Sequence, residues 1–288
     1  MSLRARIAES EILVAPGVYD GLTASLADAA GFEALYLSGA AVSYTRLGRP
    51  DIGLTSVTEM AETMTLIADR TALPVIIDAD TGFGNALNAQ RTMRLYERAG
   101  ARALQVEDQT YPKRCGHLAD KSLIPAAEMA GKVAAMADAR HSDETLIIAR
   151  TDAIAVEGFK AAIDRAEAYL AAGADVLFIE APQSREQLNG IASHFEGRVP
   201  LLANMVEGGS TPITRAGDLQ DQGFSIVIFP GGIVRAVART AGDYYRSLRH
   251  HGSNRPFADR MFDFAGLNSV IGTAEMLAKG AEYDPSDK

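Results

Sequence analysis

The chain's single cysteine lies in Lys113-Arg114-Cys115-Gly116-His117, just beyond a paired acid, Glu107-Asp108. Cations and an imidazole beside a thiol favour thiolate over thiol, and a glycine lets such a segment move. The competing reading is a solvated basic loop around an inert cysteine. Placement after the Glu107-Asp108 strand end favours chemistry at Cys115.

Upstream stands a second cluster, Asp78-Ala79-Asp80. Two residues apart on one strand, the two Asp side chains point to the same face, where Glu107 on a neighbouring strand can join them. Carboxylate oxygens gathered in this way suit Mg2+ or Mn2+. Any one of these acids alone would read as a helix cap or a solvated rim; the set reads as a metal site. Gly82-Phe83-Gly84-Asn85 follows, but it lacks the dinucleotide fingerprint and the Walker Lys-Ser/Thr, so no nucleotide cofactor is expected. His250-His251 reads as a pair of cations favoured by the end of a helix, not as a metal site.

These residues need a scaffold that brings strand ends together. Eight short apolar runs recur along the chain: Ile12–Pro16, Ala34–Ser38, Val75–Asp80, Ala103–Asp108, Leu146–Asp152, Val176–Ala181, Leu201–Met205 and Ile226–Pro230. Several are apolar nearly throughout, as parallel strands covered on both faces must be. Amphipathic segments separate them; Phe159, Ile163, Ala166 and Leu170 mark the buried face of one. Gly31, Gly100, Gly173 and Gly223 each follow a helical run, where a left-handed cap favours a residue without Cβ. Eight βα units with no linker between them predict one α/β domain, a single (β/α)8 TIM-type barrel over 12–252, rather than a doubly wound open sheet. Residues 253–288, including the apolar stretch Met261–Lys279, are surplus to a barrel and are expected to form extra C-terminal helices that pack on its side or reach a neighbouring subunit.

Composition narrows the partners. The 288-residue chain is 47% hydrophobic with a formal net charge of −9, and no long Lys/Arg run supplies a nucleic-acid footprint. One cysteine makes no intrachain disulfide, and the first residues lack an apolar core run, so a soluble cytoplasmic protein with no membrane partner is expected. An anionic substrate must then be held by local cations.

Polar residues crowd the C-terminal ends of the runs, where parallel α/β folds place their sites. Strand two ends in Ser38-Gly39-Ala40 with Asp51 beyond, strand five in Arg150-Thr151-Asp152, strand six in Glu180, and strand seven in Asn204. Tyr36 stands near the end of strand two, where core packing is one reading.

Asp78-Ala79-Asp80-Thr81-Gly82-Phe83-Gly84, Glu107-Asp108-Gln109 and the Lys-Arg-Cys-Gly-His element resemble motifs of the isocitrate lyase/phosphoenolpyruvate mutase superfamily, over roughly 16–255. The last element is specific to its carbon–carbon lyase branch. The resemblance implies a (β/α)8 barrel, one Mg2+, a mobile loop carrying a catalytic cysteine, and a homotetramer with exchanged C-terminal helices. By position it implies that Asp80 binds the metal directly, with Asp51, Asp78 and Glu107 holding it largely through water. Ser38, Gly39 and Ala40 would meet a substrate carboxylate that Arg150 pairs with, and Asn204 and Glu180 would complete the pocket. Arg114, Gly116 and His117 would contact substrate from the loop, with Cys115, His117, Arg150, Glu180 and Tyr36 in catalytic roles.

The implied reaction is cleavage of a 2-hydroxy di- or tricarboxylate, a 2,3-dimethylmalate-like or 2-methylisocitrate-like acid, to pyruvate and a carboxylate. In that reaction Tyr36 is a candidate for taking a hydroxyl proton. Pro16-Gly17-Val18-Tyr19-Asp20 and Asn204-Met205-Val206-Glu207-Gly208-Gly209 are more similar to the dimethylmalate group, whereas Phe229-Pro230-Gly231-Gly232-Ile233 departs from every lyase pattern. Oxaloacetate hydrolysis or decarboxylation stays open because it uses the same contacts. Phosphorus–carbon mutase chemistry is disfavoured by Cys115, and a non-catalytic metabolite-binding barrel would leave the acids and the cysteine idle.

Overall fold

The computed structural model describes residues 2–114, 116, 120–208, 211 and 215–284. Eight parallel strands close into a barrel in sequence order: β1 (Leu13–Val18), β2 (Leu35–Leu37), β3 (Val75–Asp78), β4 (Ala103–Glu107), β5 (Leu146–Thr151), β6 (Val176–Ile179), β7 (Leu201–Asn204) and β8 (Ile226–Phe229). Each strand falls within two residues of its expected span. Pairing of β1 with β8, from Leu13 opposite Ile226 to Pro16 opposite Phe229, closes the ring.

Alternation along the strands sorts the side chains into two cores. Leu13, Ala15, Tyr36, Ile76, Ala103, Leu146, Ile148, Val176, Phe178, Leu202, Ile226 and Ile228 fill the interior, joined by Leu3 and Ile7 of the N-terminal segment. The opposite parity, including Leu35, Leu37, Ile77, Leu104, Val106, Ile147, Leu177 and Val227, packs against the surrounding helices. The four glycines expected at helix ends all have positive φ, between 84° and 106°.

One helix face differs from expectation. On Phe159–Ala171, Ile163 and Ala166 are buried, but Phe159 and Leu170 are only partly so, while Arg165 and Tyr169 turn fully inward. The cause is Asp108, which faces away from the barrel interior. Its carboxylate accepts from Tyr169 Oη at 2.7 Å, Thr151 Oγ1 at 2.7 Å, Arg165 Nη1 at 3.3 Å and the Asp152 N–H at 3.0 Å. The pair Glu107-Asp108 is thus split by strand alternation: Glu107 continues the interior series, and Asp108 ties β4, β5 and a helix together outside it.

The chain divides into two compact units, Met1–Ile233 with all eight strands and Val234–Lys288. The second contains most of helix Gly232–His251 and the short helices Phe264–Val270 and Thr273–Ala281. Within it Phe257 is buried against Tyr244, ring centroids 5.5 Å apart, with the Arg260 guanidinium 4.3 Å from its face.

Candidate active site

Continuing the inward parity past the apolar layers brings a polar layer to the C-terminal mouth: Tyr36 and Ser38, Asp78 and Asp80, Gln105 and Glu107, Arg150 and Asp152, Glu180, and Asn204. Every one of these side chains is buried. Asp80 stands just past the end of β3, in the left-handed region at φ 45°, with its N–H bonded to Asp78 Oδ1 at 3.1 Å. For an L-residue with a Cβ that conformation costs about 1–3 kcal/mol, and it persists where the surroundings over-determine it. Its carbonyl accepts from the Glu107 N–H at 2.8 Å, joining the β3 turn to β4.

Lys113 enters this layer from the loop after β4. Its ammonium lies 2.6 Å from Asp51 Oδ1 and 2.8 Å from Asp80 Oδ1, in a nearly closed environment. Lys113 therefore spends its charge on the acids. Burial works against the ammonium, but Asp80, Asp51, Asp78 and Glu107 outweigh it and hold the group firmly protonated. Burial lifts Asp80 to about 7; Lys113 opposes that rise, and Asp78 and Asp51 add to it. Burial also pushes Glu107 well above the ordinary carboxylate range, with Arg150 pulling the other way and Asp152 adding to the rise.

The donor set suits a hard divalent cation. Asp51, Asp78, Asp80 and Glu107 are buried carboxylates, and Glu107 Oε1 has no hydrogen-bond partner among the described residues. The position filled by Lys113 is itself a cation's position. No three Asp, Glu, His or Cys side chains among the described residues converge closely enough to cage a metal. A cation such as Mg2+ keeps several of its waters and needs only one or two direct protein carboxylates, which this donor set supplies.

Ser38 begins the short helix Gly39–Val42, its hydroxyl accepting from the Ala41 N–H at 3.2 Å. Gly39 sits hard against the acids: a Cβ there would lie 3.0 Å from Asp78 Oδ2 and 3.6 Å from Asp80 Oδ1. The Ser38-Gly39-Ala40 backbone and the carboxylates thus border one space.

Arg150 grips Asp152 with two nitrogens, at 2.9 and 3.1 Å, and reaches Glu107 at 3.3 Å and Glu180 at 3.8 Å. Burial works to raise the Asp152 carboxyl, but Arg150 and Lys121 override it and hold the group at about 2. Asn204 donates to Glu180 Oε1 at 3.1 Å, and Asn204 Oδ1 is buried without a partner among the described residues. That oxygen is a buried acceptor of the kind that usually finds a donor.

The loop after β4 folds onto this layer. Its base is pinned by Thr110 N–H to Ser122 O at 2.8 Å and Ile124 N–H to Asp108 O at 2.9 Å. Gln109 clamps the Arg114 backbone through both its amide groups at 2.9 Å, and the Tyr111 hydroxyl donates to Gly53 O at 2.7 Å beside Asp51. Gly116 lies so close to Arg150 that a Cβ would overlap the guanidinium and come within 2.6 Å of Glu180 Oε1. Lys121 donates to the Gly116 carbonyl and to Asp152 Oδ1, the latter at 2.8 Å. Arg114 pairs with Asp120 at 3.4 Å. Cys115 and His117 lie outside the described residues.

Tyr36 is part of the inner layer, donating its hydroxyl to Gln105 Oε1 at 2.5 Å, while Gln105 Nε2 donates to Asp78 Oδ1 at 3.4 Å. Burial, reinforced by Asp78, raises the phenol well above its usual value. Tyr36 is thus a hydrogen-bond donor, and a base role would require the phenolate that this environment opposes.

Sequence reasoning named most of this layer but missed Gln105, Lys121 and the partnership of Asp152 with Arg150. Gln105 carried a usable signal, a polar residue inside a buried strand two places before Glu107. Lys121 carried none, because its carboxylate partner Asp152 is 31 residues away.

A family model described as phosphoenolpyruvate phosphomutase matches residues 3–249. The 2-methylisocitrate lyase of Aeropyrum pernix is 43% identical over 280 residues, spanning 97% of this chain and 89% of that protein. A crystal structure of 2,3-dimethylmalate lyase superposes with a TM-score of 0.92 at 36% identity, over 97% of this chain and 93% of that one. Phosphonopyruvate hydrolase, solved with oxalate and Mg2+, superposes with a TM-score of 0.88 at 31% identity, over 98% and 97%.

Proposed function

The chain belongs to the phosphoenolpyruvate phosphomutase family, and we propose from the site it builds that it is a divalent-metal-dependent lyase cleaving a carbon–carbon bond of a 2-hydroxy di- or tricarboxylate. Lyases for 2-methylisocitrate and 2,3-dimethylmalate resemble it over nearly its whole length. The observation that carries the reading is the approach of Gly116, the residue after Cys115 in sequence, to the buried Arg150 and Glu180. Products are pyruvate and a monocarboxylate or dicarboxylate.

Asp80 would hold the metal directly, with Asp51, Asp78 and Glu107 engaging it largely through water; Mg2+ is the first choice and Mn2+ a substitute. When bound, it acts as a Lewis acid on the substrate's oxygens. Arg150 pairs with a substrate carboxylate, exchanging part of its grip on Asp152, while the Ser38-Gly39-Ala40 backbone and Asn204 Oδ1 orient the acid and its hydroxyl. Arg114, Gly116 and His117 cover it from the loop.

Cleavage removes the hydroxyl proton, forms the carbonyl of pyruvate, breaks the adjacent carbon–carbon bond and leaves its electron pair on the departing carbon, next to that fragment's carboxylate. We assign the hydroxyl proton to Glu180 and not to Tyr36, because Tyr36 already donates to Gln105 and its buried setting opposes the phenolate. Cys115 returns a proton to the departing carbon, with His117 two residues on in sequence. On this proposal Tyr36 orders Gln105 and Asp78.

The same reading makes the protein a cytoplasmic homotetramer that exchanges residues 253–288 between subunits. It is supported by the exposure of Phe264, Met276 and Leu277 in the second unit, apolar side chains that a partner subunit would cover. No helix among the described residues is long and apolar enough to cross a membrane.

The test is a lactate dehydrogenase-coupled assay for pyruvate release from 2,3-dimethylmalate, 2-methylisocitrate and related malates bearing a 2-methyl group, with Mg2+. Release from at least one is expected. Turnover of phosphonopyruvate without any such release would sink the lyase reading, and conversion of oxaloacetate to oxalate and acetate alone would put a hydrolase in its place.

A further inference from the structure

We infer that Lys132, on the helix Ala126–Ala139 outside the barrel, is a positioning residue for the metal site, holding the turn that presents Asp80. Its side chain is 3% exposed, and its ammonium donates to the Thr81 carbonyl at 3.1 Å, across 51 residues of chain. It forms no ion pair with the described residues; burial lowers its pKa, and the field of Glu128 only partly offsets this.

A buried ammonium answered by one neutral carbonyl is costly, since its desolvation is poorly repaid. Leucine or methionine at a buried helix position would serve the core better. The carbonyl it reaches is what gives the cost a purpose. Thr81 directly follows Asp80, whose φ of 45° is left-handed, and Phe83 in the same turn also has positive φ, 60°. Relaxation of this turn would swing the Asp80 carboxylate away from Asp78 and Asp51.

The turn is held at successive points. Asp80 O accepts from the Glu107 N–H at 2.8 Å, the Gly82 N–H donates to Ala79 O at 2.8 Å, and Thr92 Oγ1 donates to Gly82 O at 3.3 Å. Lys132 supplies the only charged bond among these. Charge-assisted bonds are roughly twice as strong as neutral ones, so Lys132 is the strongest of these four restraints, whereas Lys113 and Asp78 act on Asp80 itself. Partners that orient metal ligands typically change metal affinity by about 10–100-fold when removed.

This inference rests on the metal-site reading above, and the experiment separates the two. Mn2+ binding to the full-length protein is measured by isothermal titration calorimetry and electron paramagnetic resonance, with thermal unfolding of the metal-free protein alongside. Lys132→Met should weaken Mn2+ binding about tenfold while the metal-free unfolding temperature is held or raised. Ile163→Val, a core change remote from the turn, should lower that temperature and leave Mn2+ affinity unchanged. Wild-type affinity in Lys132→Met would overturn the inference. If that variant does not fold, Lys132→Gln, which keeps a neutral donor, decides in the same way: weaker binding supports the inference and unchanged binding overturns it. Absence of Mn2+ binding by the unaltered protein would overturn the metal-site reading, and this inference with it.

Discussion

Lys113 Nζ stands 2.8 Å from Asp80 Oδ1, so a cation carried by the loop after β4 occupies the acidic end of the β3 turn. Lysine and a divalent metal are therefore drawn to the same carboxylates, and like charges so close repel. Lys113→Met is expected to tighten Mn2+ binding several-fold in the absence of substrate, measured by calorimetry, while turnover falls. Weaker Mn2+ binding in that variant would mean that the ammonium helps to assemble the metal site.

Cys115→Ser should reduce pyruvate release by about 10²–10⁴-fold, the range for a lost general acid. Its circular dichroism spectrum and Mn2+ affinity should match wild type, because the thiol is needed for proton transfer and not for the core. Wild-type turnover in this variant would make Cys115 a bystander.

Tyr36 and Glu180 can be told apart by paired variants. Tyr36→Phe leaves Gln105 Oε1 without its donor and should cost about 1–3 kcal/mol of stability, with a fall in kcat of tenfold or less. Glu180→Gln should lower kcat by at least about 10²-fold with little loss of stability. The reverse ranking of kcat would restore Tyr36 as the base.

The folded-state value of about 7 for Asp80 makes both metal binding and stability depend on pH. Below 7 a proton must leave before a metal enters, so Mn2+ affinity should climb with pH up to about 7 and then level off. In metal-free protein the same group is raised above its unfolded value of about 4. Its contribution to stability is therefore complete below pH 4 and is lost as pH rises towards 7. Asp152, held at about 2, works in the opposite sense: its contribution is present above pH 4 and lost as pH falls towards 2. Urea midpoints across pH, with and without Mn2+, check both signs; a pH-independent Mn2+ affinity between 5 and 7 would refute the Asp80 assignment.

Phe264→Asp with Leu277→Asp should disperse a tetramer, because the two side chains are among the most exposed apolar groups of the second unit. Light scattering coupled to size exclusion should show four times the chain mass for the unaltered protein and less for the double variant. An unaltered protein of single-chain mass would remove the tetramer reading.

Much of the mouth could be read along the chain because strand alternation is local. Asp78 and Asp80 are two apart, Glu107 has the parity of Gln105 and Ala103, and Arg150 that of Ile148. The same alternation sends Asp108 outward, away from the site its neighbour serves. What could not be read were partners brought together by barrel closure and by the folding back of the β4 loop: Lys113 on Asp51, Lys121 on Asp152, and Lys132 on Thr81. A lone lysine in a loop or helix has no periodicity to distinguish it from a solvated one.

By itself the sequence determined the eight strands, their parallel arrangement and which strand ends carry carboxylates, since those follow from hydrophobic period and from glycine at helix ends. Only the tertiary structure decided where each charge is spent. The Lys113 ammonium went to the acids of the candidate metal site, the Asp152 carboxylate to Arg150 and Lys121, and the Tyr36 hydroxyl to Gln105. The physical reason is that the cost of a buried charge depends on distances across strands, and these exist only once the barrel has closed.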